Sequence, residues 1–597
     1  MKSLFLAVIV LGIASLSVLS LPSILSSNQR FPYSSAALSY NPAPANRFHS
    51  PLSSMGLIAV ADALPAASSL SSTSAQGVSG DLQGVVPSIQ ARATRFIEDS
   101  SYMPQSETSL AVDPNNPSHV VGAFNDGRWF FCPFLPVSNC PSGYTISLSG
   151  FTTSSDGGKT VMKSNDIPGI SYPSNGSCQI YPNGECFLLS WGDPSVAVSP
   201  DGNFFYASLA IDPTSGANGV MITKSDPSLW QPGDPCVTGI NTPWHNECWK
   251  KPVFVFGNLS AGAVSFEDKD RIAVDTDPSS PFFGSVYISW DHFYPNGTSA
   301  SFLARCTNDL DSCTMLSGGP KPPISGSDIF ADWTTVVVGK DGAVYVTWCN
   351  IGTFTTFGPV SCKVASSPPG GNDFGKPHDV FSFMGQGTTM PQARFLIGFA
   401  SEQFRTASIE AMAVDKSSAS NNLYWTIAVC TSGKYYVLPG GAADNPGDCG
   451  LSSIIFTSSS DGGVHWSKAQ IVSLEAVNVQ PFITVDPANG NLYVLYYTTQ
   501  FDPFNHRIDV VASKSSNEGL TFSQVRITSV SNEPDSDPAY YDYFTPSGFG
   551  GSFIVPQYGD YFEGVALHGR LYVLYTANYA SELGTLQTDP WLSVLRA

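Results

Sequence analysis

The sequence predicts an all-β fold: a β-propeller of four-stranded blades, with seven blades expected and six as the alternative. Short apolar strands alternate with aromatic-rich strands at a period of about 75 residues. Turn signals rich in Gly, Pro, Asn and Asp separate the strands, and one glycine-containing octet recurs in the turns. A repeat of this length indicates an array of similar units that bury their cores against one another.

Each repeat opens with an apolar strand and continues with an aromatic-rich one. The first strand is apolar at nearly every position, which is typical of the inner strand of a blade because both of its faces are buried. A third strand then leads into a turn, and a fourth follows. The seventh repeat lacks a fourth strand of its own, so we expect segment 88–96 to supply it and close the ring. First strands are predicted at residues 109–113, 195–199, 271–275, 335–339, 410–415, 482–486 and 564–568.

The recurring turn octet is clearest in the segment that contains Ser459, Asp461, Gly463 and Trp466. The aspartate can accept hydrogen bonds from its own turn, the glycine tolerates a positive φ, and the tryptophan covers the turn with apolar surface. Two further copies contain Ser154, Asp156 and Gly158 in one case, and Ser515, Asn517 and Gly519 in the other.

Loop lengths predict that the two faces of the propeller differ. Connections between first and second strands are short, as at 113–118 and 340–342, and the octet turns are short as well. In an up-and-down blade these two sets of turns lie on one face. Loops after the second strands and between blades are longer and lie on the other face, called the long-loop face below. Long loops on a rigid scaffold are where function usually resides.

The octet resembles the Asp-box of sialidases and of other proteins with bacterial neuraminidase repeats. The resemblance covers approximately residues 95–597 and implies a propeller. It leaves two functions open, because one fold hosts many activities. The first is an exported protein that binds glycans or another protein at the cell surface through the long-loop face. The alternative is a secreted glycoside hydrolase of the exo-sialidase type.

The charge balance excludes several partners. The chain carries 28 basic and 48 acidic residues, a formal net charge of −20, which disfavours nucleic acids and anionic membrane surfaces. Charged residues make up only 13% of the chain, against roughly 25% in ordinary globular proteins. Few groups are left for acid to titrate, so we expect a protein suited to acidic surroundings.

The N-terminal region predicts export. Lys2 followed by the apolar run 4–19 has the pattern of a secretory signal, so residues 1–24 are interpreted as a signal peptide or an N-terminal anchor. Residues 25–87, rich in Ser, Ala and Pro, are interpreted as a leader or linker, and residues 88–597 as the propeller. The expected location is extracellular or the cell surface, with membrane contact only if the first segment is retained. Glycosylation sequons begin at Asn175, Asn258 and Asn296 in predicted loops.

The cysteines fit the same location. Twelve cysteines fall into six pairs of close neighbours, which in an exported chain favours six disulfides. Free or metal-bound thiols are the alternative, although no Cys-x-x-Cys of the kind that structural zinc uses is present. The predicted pairs are Cys132–Cys140, Cys178–Cys186, Cys236–Cys248, Cys306–Cys313 (which would close a turn in place of an octet), Cys349–Cys362 and Cys430–Cys449.

A polar residue precedes each predicted inner strand. In a propeller these positions converge on the mouth of the central channel, where a ring of acids with a few arginines could bind a sugar or a hard cation such as calcium. The alternative is that they cap turns and join neighbouring blades. No cofactor is required. The predicted ligand-binding residues are Glu107, Asp193, Asp270 and Asp332, and the others in the ring are Arg271, Arg405, Gln480 and Asp560.

The sialidase resemblance implies a set of catalytic candidates. Sialidases use an arginine cluster for the substrate carboxylate, a Tyr–Glu nucleophile pair and an Asp acid. Their Arg-Ile-Pro motif is missing here and no arginine triad is evident. Tyr561 could equally be a core aromatic beside a strand. The candidates are Arg271 and Arg405, which could contribute to an arginine cluster, and Tyr561 as the nucleophile near the carboxyl groups of Asp560 and Glu563.

Overall fold

The computed structural model describes most of the chain from Ala93 onward. The predicted signal and leader segments lie outside the described residues. The described residues are 93–99, 104–128, 147–173, 176, 178, 184–212, 215–233, 236, 238, 244–260, 265–350, 358–385, 409–417, 421–432, 451–503, 507–533, 558–582 and 585–596.

Seven antiparallel sheets, arranged as the blades of a propeller, confirm the predicted fold and the count of seven. Each inner strand pairs with the aromatic-rich strand that follows it, and strand order within a blade follows the chain. Blades 1 to 3 contain β2 (Gln105–Val112), β3 (Val120–Asp126), β4 (Ser149–Ser154) and β5 (Lys163–Asp166); β8 (Ser195–Val198), β9 (Phe204–Ile211), β10 (Asn218–Lys224) and β11 (Val253–Asn258); and β12 (Phe266–Val274), β13 (Val286–Phe293), β14 (Ser299–Cys306) and β15 (Cys313–Ser317).

The remaining blades repeat this plan. Blades 4 to 6 contain β16 (Ala331–Val338), β17 (Val344–Asn350), β18 (Gly358–Ser367) and β19 (His378–Gly385); β20 (Glu410–Asp415), β21 (Asn422–Ser432), β22 (Leu451–Ser459) and β23 (Gln470–Ile471); and β24 (Asn478–Val485), β25 (Leu492–Thr498), β26 (Asp509–Ser515) and β27 (Ser523–Arg526). Blade 2 is extended by β6 (Ile170–Tyr172) and β7 (Cys186–Ser190), and a short 3-10 helix (Pro227–Trp230) follows β10.

Blade 7 closes the ring as the sequence predicts. Its chain-terminal strands are β28 (Glu563–Leu567), β29 (Arg570–Glu582) and β30 (Thr585–Arg596). The fourth strand is β1 (Ala93–Arg95), which pairs antiparallel with β30. Arg95 also forms an ion pair of 2.7 Å with Asp589. The two ends of the propeller are therefore joined within one sheet.

Aromatic side chains of the second strands fill the space between blades. Trp290, Trp348, Tyr496 and Tyr575 occupy equivalent positions of β13, β17, β25 and β29, and all four are fully buried. Each buried aromatic removes about 150–250 Å² from water, so these rings dominate the energy of blade packing.

The three turn octets share one geometry. In the clearest copy, Ser459 Oγ accepts from Gly463 N at 2.9 Å, and Asp461 Oδ1 accepts from His465 N at 2.9 Å. Gly463 has φ +89°, and Trp466 Nε1 donates to its carbonyl at 3.1 Å. The other two copies repeat the serine and Asp or Asn contacts.

Four predicted disulfides are present: Cys178–Cys186, Cys236–Cys248, Cys306–Cys313 and Cys349–Cys362. The third closes the turn between β14 and β15, as predicted. The other two predicted pairs, Cys132–Cys140 and Cys430–Cys449, fall on cysteines whose side chains are outside the described residues.

Two expectations about loops need correction. The connections after second strands are not uniformly long: β13 and β14 are joined by residues 294–298, and β29 and β30 by residues 583–584. Asn258 is not in a loop but ends β11, an edge strand, whereas Asn296 lies exposed in a turn, and Asn175 is outside the described residues. Among the described residues, no helix is long and apolar enough to span a membrane.

Candidate functional site

The inner strands carry an irregularity at the same place in several blades. Register shifts interrupt β2, β12, β16 and β24 near their starts. The sequence predicted polar residues ahead of these strands; the structure instead places Glu107, Asp270, Asp332 and Gln480 within them, at the bulge. At the equivalent position of five blades a non-glycine residue adopts a positive φ: Glu107 (54°), Asp193 (50°), Lys269 (57°), Trp333 (63°) and Gln480 (50°).

Such backbone conformations are uncommon for residues other than glycine and persist only where surrounding contacts hold them. A bulge changes the direction of the side chains beside it, here at the starts of the inner strands. We call this region, formed by the five positive-φ positions and segment 558–561, the channel mouth.

A carboxyl pair joins blades 1 and 2 at the mouth. The carboxyl groups of Glu107 and Asp193 are neighbours across the seam between these two blades. Burial, together with the neighbouring Glu107 carboxyl, raises the pKa of Asp193 well above its ordinary value. Asn125 braces both, since its Nδ2 donates to Glu107 Oε2 at 2.7 Å and its Oδ1 accepts from Asp193 N at 3.0 Å.

The segment before blade 7 docks on the same pair. Asp560 N donates to Glu107 Oε1 at 3.1 Å, and Glu107 N donates to Tyr558 O at 3.2 Å. Gly559 makes this approach feasible: its φ is +85°, and a Cβ there would lie 2.0 Å from Glu107 Cγ. A glycine is therefore required beside Asp560.

Lys269 connects blades 2, 3 and 4. Its backbone N donates to Asp193 Oδ2 at 3.2 Å, and its Nζ lies 2.7 Å from Asp268 and 3.3 Å from Asp332. The ammonium also lies 4.7 Å from the ring centroid of Trp333. Burial lowers the pKa of Lys269, but the surrounding carboxylates outweigh it and the net shift is upward.

A second carboxyl pair, Asp291 and Asp332, joins blades 3 and 4. Burial and the neighbouring Asp332 carboxyl raise the pKa of Asp291 well above its ordinary value. Asp291 also holds the bulge of β16, because its carboxylate accepts from Trp333 N at 2.5 Å and from Thr334 N at 3.3 Å.

Three side chains from different parts of the ring meet at the mouth. Trp333, Ile409 and Tyr561 form an apolar cluster and are exposed by only 3%, 5% and 5%. We call this cluster the plug. The Arg271 guanidinium lies 3.6 Å from the ring centroid of Tyr561, and the Tyr561 hydroxyl donates to Pro194 O at 3.0 Å. Burial raises the pKa of Tyr561 well above its ordinary value.

Three of the five catalytic candidates lie together. Arg271 stacks on Tyr561, and Glu563 begins the adjacent strand β28. Glu563 Oε2 accepts from Ser109 Oγ at 2.6 Å and from Leu110 N at 3.3 Å, while burial raises its pKa. Asp560 docks through its backbone on Glu107, and Arg405 lies outside the described residues.

Two further buried carboxyls, Asp270 and Glu410, stand at equivalent positions of blades 3 and 5, one residue ahead of the position that Glu563 occupies in blade 7. Asp270 is fully buried, and neither of its carboxyl oxygens has a hydrogen-bond partner in the described part of the chain. Glu410 is 1% exposed; its Oε1 has no hydrogen-bond partner among the residues that the structure describes, and its Oε2 lies 3.5 Å from Cys349 Sγ, a disulfide sulfur that has no proton to donate. Burial raises the pKa of both groups well above their ordinary values.

The sequence reasoning missed several residues of the mouth. Lys269 and Asp268 lie in the alternating run Glu267–Arg271, whose opposite charges at the start of an inner strand were a usable signal. Asn125, Asp291 and Trp333 had no such signal, because contact across blades brings them in. Within the described residues no group of three or more His, Cys, Asp or Glu side chains is arranged to hold a metal ion.

The fold and the mouth together define a seven-bladed propeller with an acidic, aromatic-plugged channel mouth. Its structural neighbours include sialidases and other propeller glycosidases. The Hadza microbial sialidase Hz136 is 11% identical, with 71% of this chain and 66% of that chain covered and a TM-score of 0.35. The Trypanosoma rangeli sialidase is 13% identical, with 71% and 58% covered and a TM-score of 0.36. A protein of unknown function from Dyadobacter fermentans is 11% identical, with 85% and 98% covered and a TM-score of 0.38.

These similarities carry no argument about activity, and the seven sheets alone define the architecture. The sialidases are the class that the turn octets resemble, and this chain spans less than two thirds of the length of either. No protein-family model and no curated protein sequence matches the chain.

Proposed function

We propose that the protein is exported and binds glycans, in the medium or at the cell surface, through its channel mouth. The observation that supports this best is the convergence of five positive-φ positions at the starts of the inner strands, which gather charged and aromatic side chains at one end of the channel. Ligand sites are concave and combine apolar or aromatic walls with a few placed polar groups, and this mouth has both.

The cysteines and the N-terminal segment support the proposed location. Four disulfides indicate an oxidising environment, which exported proteins meet and cytosolic proteins do not. The predicted signal segment at 1–24 supports secretion or attachment to the cell surface. The turn octets, interpreted as Asp-boxes, support kinship with exported propellers.

The chemistry of the mouth suits sugars better than other partners. The Asp268 carboxylate, whose side chain is 26% exposed, would accept hydrogen bonds from sugar hydroxyl groups, and Arg271 offers fixed donors over an aromatic face. The net charge of −20 opposes nucleic acid. A surface protein is the other partner that the long-loop face could accept.

Glycoside hydrolysis is the second candidate, because Arg271, Tyr561 and Glu563 are neighbours. Two contacts favour binding over this reaction. A tyrosine nucleophile needs a carboxylate to take its proton, yet the Tyr561 hydroxyl donates to a backbone carbonyl. Glu563 meanwhile accepts from Ser109 Oγ.

A glycan array with full-length protein tests the binding proposal. Arg271→Gln should weaken binding by about tenfold or more, the loss expected for one charge-assisted contact. Arg305→Gln is the matched control. Arg305 also stacks on an aromatic ring, with its guanidinium 4.0 Å from the ring centroid of Phe282, but it lies away from the mouth. Equal loss in both variants, or no glycan bound in either acid or neutral buffer with calcium present or absent, would contradict the proposal.

The hydrolase alternative has its own assay. Chromogenic glycosides, sialosides included, are incubated with the protein from acid to neutral pH, with Asp560→Asn and Glu563→Gln as controls. Turnover that disappears in the controls would replace binding with hydrolysis as the function.

A further inference from the structure

One disulfide lies against a buried carboxyl at the seam between blades 4 and 5. Cys349 of β17 is bonded to Cys362 of β18, and Glu410 is the first residue of β20. We propose that Cys349–Cys362 is a redox site that opens reversibly to two thiols, and that Glu410 stabilises the opened form by accepting a hydrogen bond from the Cys349 thiol. This inference goes beyond the proposed glycan binding and does not depend on it.

The contact that carries the proposal joins Glu410 Oε2 to Cys349 Sγ at 3.5 Å. A disulfide sulfur has no proton, so in the oxidised chain this distance separates two groups that cannot form an S–H hydrogen bond. A cysteine thiol is a donor and a carboxyl oxygen is an acceptor, so the same two atoms can bond once Cys349 is reduced. Cys349 is fully buried and Glu410 is 1% exposed, so bulk water does not reach the contact.

Glu410 gains from this hydrogen bond because its carboxyl group is poorly satisfied. Its Oε1 has no hydrogen-bond partner among the residues that the structure describes. A buried polar atom without a partner has lost its hydrogen bonds to water, which destabilises the fold. Reduction of the disulfide places a donor against the same carboxyl group, at Oε2. The folded chain in its reduced state is therefore stabilised by a contact that the oxidised state lacks.

The fold keeps the two cysteines together in both states. They lie opposite each other in the ladder between β17 and β18. The next pair along this ladder is Trp348 and Lys363, and both side chains donate to Asp328, from Trp348 Nε1 at 3.0 Å and from Lys363 Nζ at 2.8 Å. The register of this hairpin thus has supports other than the disulfide, so the S–S bond can open and close again within the folded blade.

A low-molecular-weight thiol is the co-reactant that the opening requires. Two thiol molecules give up two electrons and two protons and become one disulfide, while the S–S bond between Cys349 and Cys362 breaks and each sulfur takes up a proton. The exchange passes through a mixed disulfide between the thiol and one of the cysteines. The hydrogen bond to Glu410 favours the dithiol at equilibrium, because it exists only when Cys349 carries a proton. Burial of both sulfurs slows the approach of a thiol but leaves that equilibrium unchanged.

A second disulfide of the chain serves as a reference. Cys306–Cys313 also joins directly opposite residues of two paired strands, β14 and β15. Cys306 is fully buried, as Cys349 is. In the described part of the chain, no carboxyl group is hydrogen-bonded to either sulfur of Cys306–Cys313. The two disulfides therefore share their place in a hairpin and differ in the neighbouring acid.

Redox titration of the full-length protein tests the proposal. The chain is equilibrated in buffers with set ratios of thiol to disulfide, and alkylation followed by mass spectrometry gives the reduced fraction of each cysteine pair. Glu410→Leu removes the acceptor, so we expect the equilibrium constant for reducing Cys349–Cys362 to fall about fivefold, the effect of one hydrogen bond of average net strength. The constant for Cys306–Cys313 should stay unchanged. No fall at Cys349–Cys362, or an equal fall at both disulfides, overturns the proposal.

Glu410→Gln separates the hydrogen bond from a merely structural role. The amide oxygen of glutamine can accept from a thiol as the carboxyl oxygen does, so this variant should keep most of the natural equilibrium constant. A glutamine variant that behaves like Glu410→Leu would contradict the assigned hydrogen bond.

Infrared spectroscopy tests the same contact without a reductant and without changing Glu410. Cys362→Ala leaves Cys349 as a permanent thiol, and Cys313→Ala does the same for Cys306. A hydrogen bond lowers the S–H stretching frequency, so the band that Cys362→Ala adds to the spectrum should lie at lower frequency than the band that Cys313→Ala adds. Equal frequencies would overturn the proposal. This measurement decides the question should Glu410→Leu fail to fold.

Discussion

The octet turns and the channel mouth use the same residue type in opposite ways. Asp461, in an exposed turn, accepts hydrogen bonds from His465, and these contacts lower its pKa to about 2. Asp291, buried at the mouth, faces Asp332, and its pKa is raised. The turn thus favours a charged carboxylate and the mouth a protonated carboxyl, so one propeller contains two faces with contrary responses to acid.

The two faces should differ most in the stability lost when one aspartate is removed from each. Asp291→Ala leaves two buried backbone N–H groups without their acceptor, and we expect a loss of about 3–5 kcal/mol in the free energy of unfolding. Asp461→Ala removes the acceptor of an exposed turn and should cost only about 1 kcal/mol. Urea unfolding in acidic buffer measures both; similar losses would erase the contrast.

The pH dependence of stability should combine the two responses. At the mouth and blade seams, Asp193, Asp270, Asp291, Glu410 and Glu563 have raised pKa values, so the folded chain binds their protons more tightly than the unfolded chain. Their contribution is complete below the unfolded pKa of about 4. It is lost as pH rises from the unfolded to the folded pKa, at about 1.4 kcal/mol per pH unit for each group.

Exposed carboxylates act with the opposite sign. Asp156 and Asp461 have lowered pKa values, so their contribution is present above an unfolded pKa of about 4 and is lost as pH falls, but solvent screening keeps it small. The two responses together place maximum stability in mildly acidic buffer, in agreement with the composition. Thermal unfolding across pH checks this, and a maximum at neutral pH with collapse in acid would contradict it.

A smaller effect is expected at the seam between blades 4 and 5. Glu410→Gln keeps the shape of a protonated carboxyl but cannot ionise, so it should change stability little in acid and raise it by about 1–2 kcal/mol at neutral pH. Unfolding of both proteins at the two pH values measures the difference. Destabilisation at neutral pH would mean that the ionised Glu410 has a partner.

The smallest effect belongs to the exposed ion pair of the octet turn. His465 Nδ1 lies 2.6 Å from Asp461 Oδ2, with 85% of the histidine side chain exposed. Such pairs contribute less than about 1 kcal/mol. His465→Ala should therefore shift the unfolding midpoint only slightly, and a large shift would mean that the turn, too, depends on buried contacts.

The sequence predicted the propeller well because its signals are local. Inner strands such as 109–113 are apolar at most positions, and the octet that begins at Ser459 contains the residues that form its turn. The sequence also predicted how the ring closes: the seventh repeat lacks a fourth strand of its own, and β1 supplies it.

The mouth was predicted only in outline. Glu107 and Asp193 were expected there, but their pairing depends on how blades 1 and 2 meet. Asp291 lies in β13, a second strand, and belongs to the mouth because it contacts Trp333 of the neighbouring blade. No pattern in its own segment marks it. The bulges that set these contacts arise from tertiary packing, which a single sequence does not display.

Potentiometric titration of the folded and the urea-unfolded chain measures the central claim most directly, since it counts the protons that folding retains. If carboxyl pairs and seam acids hold protons at the mouth, the folded chain should carry several more protons than the unfolded chain at about pH 5, just above the ordinary carboxyl range. Equal proton counts, or fewer protons on the folded chain, would contradict the account.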